Sequence, residues 1–275
     1  MQKLLTLVAA FVLLNLSAQT NRFIYTLEYR ADPSQDYRQE LMVLDINKKN
    51  VKFYDKKFLE YDSLNVAAKK TNGLKSRTST STDQLIVRAV NSNTNFWYRD
   101  FFDYFVVKTE NQLNWKLSPE TMVYNEYKLQ KAECDFGGRH WTAWFSNDVQ
   151  IPEGPYKFRG LPGLIFIIQD QDSDFVYKLV KNTKLPDTYD TTDFLENHYD
   201  KKPIPISLEK YNKYIIDIYN NPTRVFLNNV KDGKQVNFGK DNVQSLEELN
   251  KKKMMMQKMI KERYIPVEKN NAPKF

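Results

Sequence analysis

Between Asp83 and Lys181 short β-forming runs follow one another so closely that only a multi-stranded sheet can absorb them. Leu85–Val90, Asn95–Tyr98, Phe101–Lys108 and Leu113–Leu117 are separated by Asn, Asp or Ser, at intervals of about 8–12 residues. Tyr124–Phe136 then runs to Gly137-Gly138, a pair that favours a tight hairpin because its central positions need positive φ. The return run, Arg139–Ser146, alternates. Arg139, Trp141, Ala143 and Phe145 share one face, and His140, Thr142, Trp144 and Ser146 the other. Upstream, Phe23–Tyr29, Glu40–Ile46 and Val51–Tyr54 read as three more strands, with Asn47–Asn50 as a turn. Lys56–Lys70 reads as a helix, and Thr71–Thr82 as a polar loop.

Texture changes after residue 185. Leu208–Tyr219 and Pro222–Val230 carry helical spacing, and Ser245 with Glu248 forms a capping box. That box opens a helix to about Arg263, ended by Pro266 and Pro273. The expected class is mainly β (α+β): a curved antiparallel sheet, sandwich or partial barrel, with a helical C-terminal region. The expected division is 1–18, 19–185 and 186–275. The first piece, with Lys3, an apolar run from Leu4 to Leu14 and Ala18 at a cleavage position, reads as a signal peptide. Its run is short of the roughly 20 residues a membrane span needs. The expected location is therefore the periplasm or the outside of the cell.

Chemistry-bearing motifs are sparse. With 8 glycines there is no dinucleotide fingerprint, and neither Gly233-Lys234 nor Gly239-Lys240 completes a phosphate loop. Two histidines, His140 and His198, do not make an imidazole zinc site. The single cysteine, Cys134, forms no internal disulfide and has Asp135, not a cation, beside it, so it reads as a small buried apolar residue. Asp170-Gln171-Asp172-Ser173-Asp174 imitates half a calcium loop, but Phe175 stands at its sixth position and Lys181 at its twelfth. It reads as a hairpin loop between Leu164–Gln169 and Phe175–Lys181. Met254, Met255, Met256 and Met259 offer either soft ligands for Cu(I) or adaptable packing.

Net charge is +7, of which Lys231–Phe275, with 11 basic and 6 acidic residues, supplies +5. Those cations are not interleaved with stacking aromatics, which argues against nucleic acid and leaves an acidic surface contact open. Arg139 either grips a carboxylate or phosphate in bidentate fashion or stacks on Trp141. With Trp144 these two form the candidate ligand-binding set. Aromatic residues make up 14% of the chain, and Trp97, Tyr98, Phe101, Phe102, Tyr104 and Phe105 fall in one stretch. Without catalytic signatures beside it, that stretch points to a non-enzymatic protein holding a small apolar ligand or a partner peptide, with no cofactor. The alternatives are a hydrolase using scattered carboxylates and Arg139, and a copper-handling accessory using the methionine helix.

Gly160-Leu161-Pro162-Gly163-Leu164-Ile165 spells GLPGLI, and Tyr127-Lys128, Lys131-Ala132, Gly138-Arg139, Ala143-Trp144-Phe145, Ile151-Pro152 and Gly154-Pro155 accompany it. This block, about Tyr127 to Asp170, resembles the GLPGLI family, exported proteins found mostly in Bacteroidota. The resemblance implies export and no particular activity. Leu129 stands where members often carry a cysteine, so no paired-thiol role carries over. The motif itself reads as architecture: Pro162-Gly163 as the centre of a type II turn, then a strand from Leu164 buried on both faces.

Overall fold

Alternating apolar residues and turn-forming Asn, Asp and Gly divide the chain as their spacing dictates. A computed structural model of the protein describes residues 20–275 apart from Asp32 and Tyr264. The expected signal peptide lies outside the described residues. Eleven strands form the body: β1 (Thr20–Tyr29), β2 (Arg38–Ile46), β3 (Asn50–Asp55), β4 (Leu85–Ala89), β5 (Thr94–Phe101), β6 (Asp103–Glu110), β7 (Lys116–Tyr124), β8 (Tyr127–Phe136), β9 (Arg139–Ser146), β10 (Leu164–Asp170) and β11 (Phe175–Leu185). Helix α1 (Lys57–Lys70) interrupts them after β3. The rest comprises β12 (Ile204–Ile206), α2 (Leu208–Asn220), α3 (Arg224–Lys231), β13 (Val236–Phe238), β14 (Asp241–Val243) and α4 (Leu246–Arg263).

Strands β1 to β6 form one antiparallel meander and β7 to β11 another. The two are joined where β1 pairs with β11, from Thr20 opposite Leu185 to Tyr29 opposite Phe175. The result is one large, curved, open sheet and the class is mainly β, as expected. The sheet is mixed because β12 adds to β6 in parallel, Ile204 opposite Phe105. At the far edge β7 carries Pro119, which is tolerable there because an edge strand has donors to spare.

Both faces carry a packed layer, the second over β1 to β6. On the concave face Tyr25, Leu27, Phe53, Trp141, Phe145, Phe158 and Ile168 belong to the main core, which Tyr211 and Ile215 of α2 and Ile260 of α4 complete. On the convex face Val43, Tyr54, Leu85 and Tyr104 pack under Phe58 of α1 and under Phe194, Leu195 and Tyr199. The expected aromatic stretch is thereby split by strand alternation. Trp97, Phe101 and Phe105 face the concave core, while Tyr98 and Tyr104 face the convex one.

Several boundaries differ from the sequence reading. The strand expected at Leu113–Leu117 is β7, displaced to Lys116–Tyr124, and β8 begins at Tyr127. Between them Asn125 and Glu126 both take positive φ, 45° and 69°, a two-residue hairpin without the glycine that announces one. The C-terminal region holds three short strands besides its helices.

The turn at the GLPGLI motif needs a correction. A type II turn would put Gly163 at positive φ, but it is Gly160 that takes it, at 92°. Gly163 is demanded by crowding: a Cβ there would lie 1.9 Å from the Ser146 carbonyl oxygen. The motif lets the chain enter β10 with its backbone pressed against the end of β9. From there Leu164 to Ile168 are buried throughout, as expected.

Candidate functional site

Two features of the concave side carry the polar chemistry. The first is an open cleft of about 610 Å³ between one end of the sheet and α4. Phe101, Phe102, Met256, Met259 and Ile260 give it an apolar wall, and Arg38, Glu40, Lys57, Ser79–Ser81 and Glu262 a polar rim. Phe102 sits at the tip of the β5–β6 hairpin, 57% exposed and at φ 56°. A bulky aromatic in that backbone region is strained, and strain of this kind concentrates at sites with a function. Met259 is 58% exposed on the facing helix. On the rim Lys57 donates to the Ser81 hydroxyl at 2.5 Å. The backbone N–H of Ser81 donates to buried Asp55 at 2.8 Å. Burial pushes the Asp55 carboxyl up, against the hydrogen bonds from Thr80 and Ser81.

The second feature lies deeper, where the C-terminal segment from Ile265 to Asn271 crosses the concave face. Glu268 is buried there, and its carboxylate accepts from Lys157 Nζ and from the Tyr156 hydroxyl, each at 2.5 Å. Its other oxygen accepts from Asn271 at 2.6 Å. Burial alone would raise the Glu268 carboxyl, but Lys157, Tyr156 and Asn271 outweigh it and hold it below the usual carboxylate value. Burial also pulls the Lys157 ammonium down, against the pull of Glu268. The Lys157 ammonium and the Arg99 guanidinium both sit against the Trp97 ring, 4.3 and 3.9 Å from its centre. Arg99 pairs with Asp83 at 2.5 Å. Nearby, Arg88 grips Glu153 with both terminal nitrogens, one bond measuring 2.9 Å.

The expected ligand-binding residues fall in or beside this region. Arg139 is buried and fully engaged. It donates to Asp170 at 2.6 Å and Asp174 at 3.1 Å, and to the carbonyls of Val267 at 3.0 Å and Pro266 at 3.2 Å. Its ring neighbour is Phe175, 4.8 Å away, and not Trp141. Trp141 is wholly buried and donates to the Phe136 carbonyl. Trp144 is half-buried on the opposite strand face, as alternation requires. These three residues therefore do not share one surface.

The Asp170–Asp174 loop is a hairpin turn, and its carboxylates cluster closely enough to suit a cation. Arg139 occupies that position through two of them, with Lys269 at 3.6 Å from Asp172. Cys134 is buried, and burial with Asp135 nearby pushes its thiol up to about 12, so it is not a nucleophile at neutral pH. Lys157, Tyr156, Glu268, Arg99 and Arg88 were missed. The one available signal was Lys157 itself, a charge set directly between the aromatic residues Tyr156 and Phe158.

Residues 106–167 match the model of a family described as a protein of unknown function (Porph_ging). The central span of the chain is thus shared with an uncharacterised family. It runs from β6 into β10 and contains Gly137, Gly138, Arg139, Tyr156 and Lys157. No curated protein matches the chain. Among solved structures, one described as "Structure of PNGF-II in C2 space group" is similar with a TM-score of 0.47 at 14% identity, over 71% of this chain and 32% of that one. A second, "Structure of PNGF-II in P21 space group", gives 0.46 at 14% identity, over 71% and 33%. The chain spans about a third of the length of these proteins.

Proposed function

We propose that this is an exported binding protein of the GLPGLI type, and that it holds an amphipathic, acyl-bearing small molecule in the cleft between the sheet and α4. The observation that carries this reading is the pairing of exposed Phe102 and Met259 across an open cavity whose rim is charged. Ligand pockets combine an apolar lining with a few placed polar groups, and this cleft has that composition. Arg38 and Lys57 on the rim balance Glu40 and Glu262 in charge, which suits a zwitterionic or neutral polar head.

Native mass spectrometry of the mature protein purified from its own envelope fraction tests the reading. The expected result is a bound lipid-like mass that is lost in Phe102→Asp and in Met259→Asp. The same spectrum reads the processed N-terminus and so tests export. A clean apo mass in the wild type, with no uptake of a fluorescent fatty acid or lysophospholipid, overturns the binding role. Cu(I) uptake that disappears when Met256 and Met259 become Leu would replace the acyl ligand with a metal.

A second reading, a hydrolase, rests on the Lys57–Ser81 contact. Serine–lysine pairs serve as nucleophile and base on several folds. Labelling by a fluorophosphonate that vanishes in Ser81→Ala would favour it over simple binding.

A further inference from the structure

We propose that the C-terminal segment from Ile265 to Asn271 is a tethered ligand, filling a carboxylate-recognition pocket that an extended, glutamate-bearing segment of a partner protein takes in its place. This pocket is distinct from the acyl cleft. Its receiving residues come from other parts of the chain: Trp97 and Arg99 on β5, Gly137 and Gly138 at the β8–β9 turn, Arg139 on β9, and Tyr156 and Lys157 in the loop before β10.

The segment is held as a bound peptide is held. Its backbone is read by side chains, Arg139 taking the carbonyls of Pro266 and Val267. One main-chain bond, from Asn270 N–H to the Gly137 carbonyl at 3.3 Å, fixes its register. The double glycine serves this contact as well as the hairpin. A Cβ on Gly137 would lie 2.9 Å from the Glu268 Cα, so only a glycine lets the segment approach. Ile265 and Val267 are buried, and Lys269 reaches Asp172. The pattern read is therefore apolar, Pro, apolar, Glu, basic.

Glu268 gives the pocket its specificity. Lys157 has a side chain that is 0% exposed, and Glu268 is its ion-pair partner. A buried ion pair adds little stability over an apolar pair of the same volume, but it discriminates strongly against an uncharged occupant. Removing the segment would leave Lys157 and Arg99 flanking Trp97 with Asp83 as the bonded carboxylate, a cationic aromatic recess suited to an incoming acid. Beneath Ile265–Val267 a small space is lined by Gln84, whose buried Nε2 has no hydrogen-bond partner. The attachment favours exchange. Among the described residues of α4 only Leu249 and Ile260 are buried, so the helix that carries the segment is held by few apolar side chains of its own.

The test uses fluorescence anisotropy with a labelled peptide of residues 265–275, IPVEKNNAPKF. Tethering gives the native segment an effective concentration in the millimolar range, so the wild-type chain resists the peptide. The full-length Glu268→Gln variant is expected to bind it at least ~10-fold more tightly than wild type. Lys157→Met added to that variant abolishes binding, and so does Glu→Gln in the peptide. A folded Glu268→Gln chain that ignores the peptide, or binds the Glu and Gln peptides equally, overturns the proposal. Should that variant not fold, a cleavable linker placed after Glu262 in the wild-type chain supplies the second measurement. After cutting, exchange of the native segment for labelled peptide is expected. Retention without exchange makes the segment a structural element only and ends the idea.

Discussion

Segments from outside its two meanders pack on both faces of the sheet, on the convex side over β1 to β6, and the two covers are centred on different chemistry. On the convex face Phe194 stacks on Phe58 with ring centres 5.5 Å apart and packs against Tyr54 at the same distance. Leu195 and Tyr199 are buried beside it, and the Tyr104 hydroxyl donates to the Leu195 carbonyl. Lys75–Asp193 lies at the exposed margin, and the buried Lys52 ties Thr191 and Glu196 to the sheet beside this aromatic cluster. On the concave face Glu268, Lys157 and Arg139 stand at the centre. Apolar burial is non-directional and holds whatever fits, whereas a buried ion pair selects its occupant. The convex cover is built to stay, and the concave one to be recognised.

The comparison breaks or sharpens on five measurements. Phe194→Ala should have the largest effect, about 4 kcal/mol of global stability, because it deletes a fully packed aromatic. Urea unfolding followed by tryptophan fluorescence and by circular dichroism should shift together. Glu268→Gln should cost roughly 3 kcal/mol, felt locally. Hydrogen exchange should rise in 265–271 while β1 and β11 keep their protection. Replacing both partners, Lys157→Met with Glu268→Met, should return the segment to within about 1 kcal/mol of wild type, since no charge is then stranded.

Acid should separate the covers next. Burial lowers the His198 pKa below 6.5 against the opposing pull of Asp100, so the folded state prefers neutral imidazole. The unfolded chain then binds the proton more readily, and that stability is present above pH 6.5 and lost as pH falls below it. Glu268 has its pKa lowered from 4.5, so its contribution persists until pH drops through that lower folded value. Between pH 7 and pH 5 the convex cover should therefore loosen while the concave one holds. His198→Asn should flatten the convex response, read by hydrogen exchange in 192–199. The smallest effect belongs to Cys134, whose alkylation by iodoacetamide should be equally slow in wild type and Glu268→Gln. Faster reaction in the variant would mean that the segment protects the sheet interior as well.

Most of the body was legible because local rules and tertiary structure agree there. β9 spans Arg139–Ser146 as its alternation and the preceding glycines require, and both glycines take positive φ. The capping box is formed, Glu248 N–H donating to Ser245 Oγ and Ser245 N–H to the Glu248 carboxylate. What escaped was non-local. Lys157 and Glu268 lie 111 positions apart, and neither spacing nor composition joins them. Arg139 was conspicuous, but its partners, Asp170, Asp174 and two carbonyls, come from elements whose meeting depends on the sheet order. Gly163 looked like a turn residue because Pro-Gly usually is one, whereas the nearby Ser146 backbone is the actual constraint.

The seam between the meanders has a consequence for how the chain reaches this state. Of the described strands β1 is made before the others, yet one of its two neighbours, β11, is made roughly 150 residues later, when Phe175 arrives opposite Tyr29. Pairing across such sequence separation is slow, because loop closure must precede the contacts that reward it. Until then β1 presents an unpaired edge of Phe23, Tyr25 and Leu27, the kind of surface on which nascent chains associate. Synthesis therefore carries a window in which the first half of the sheet can form but not close its seam. In that interval the chain is expected to depend on a holdase, or on remaining unfolded until all of it is available.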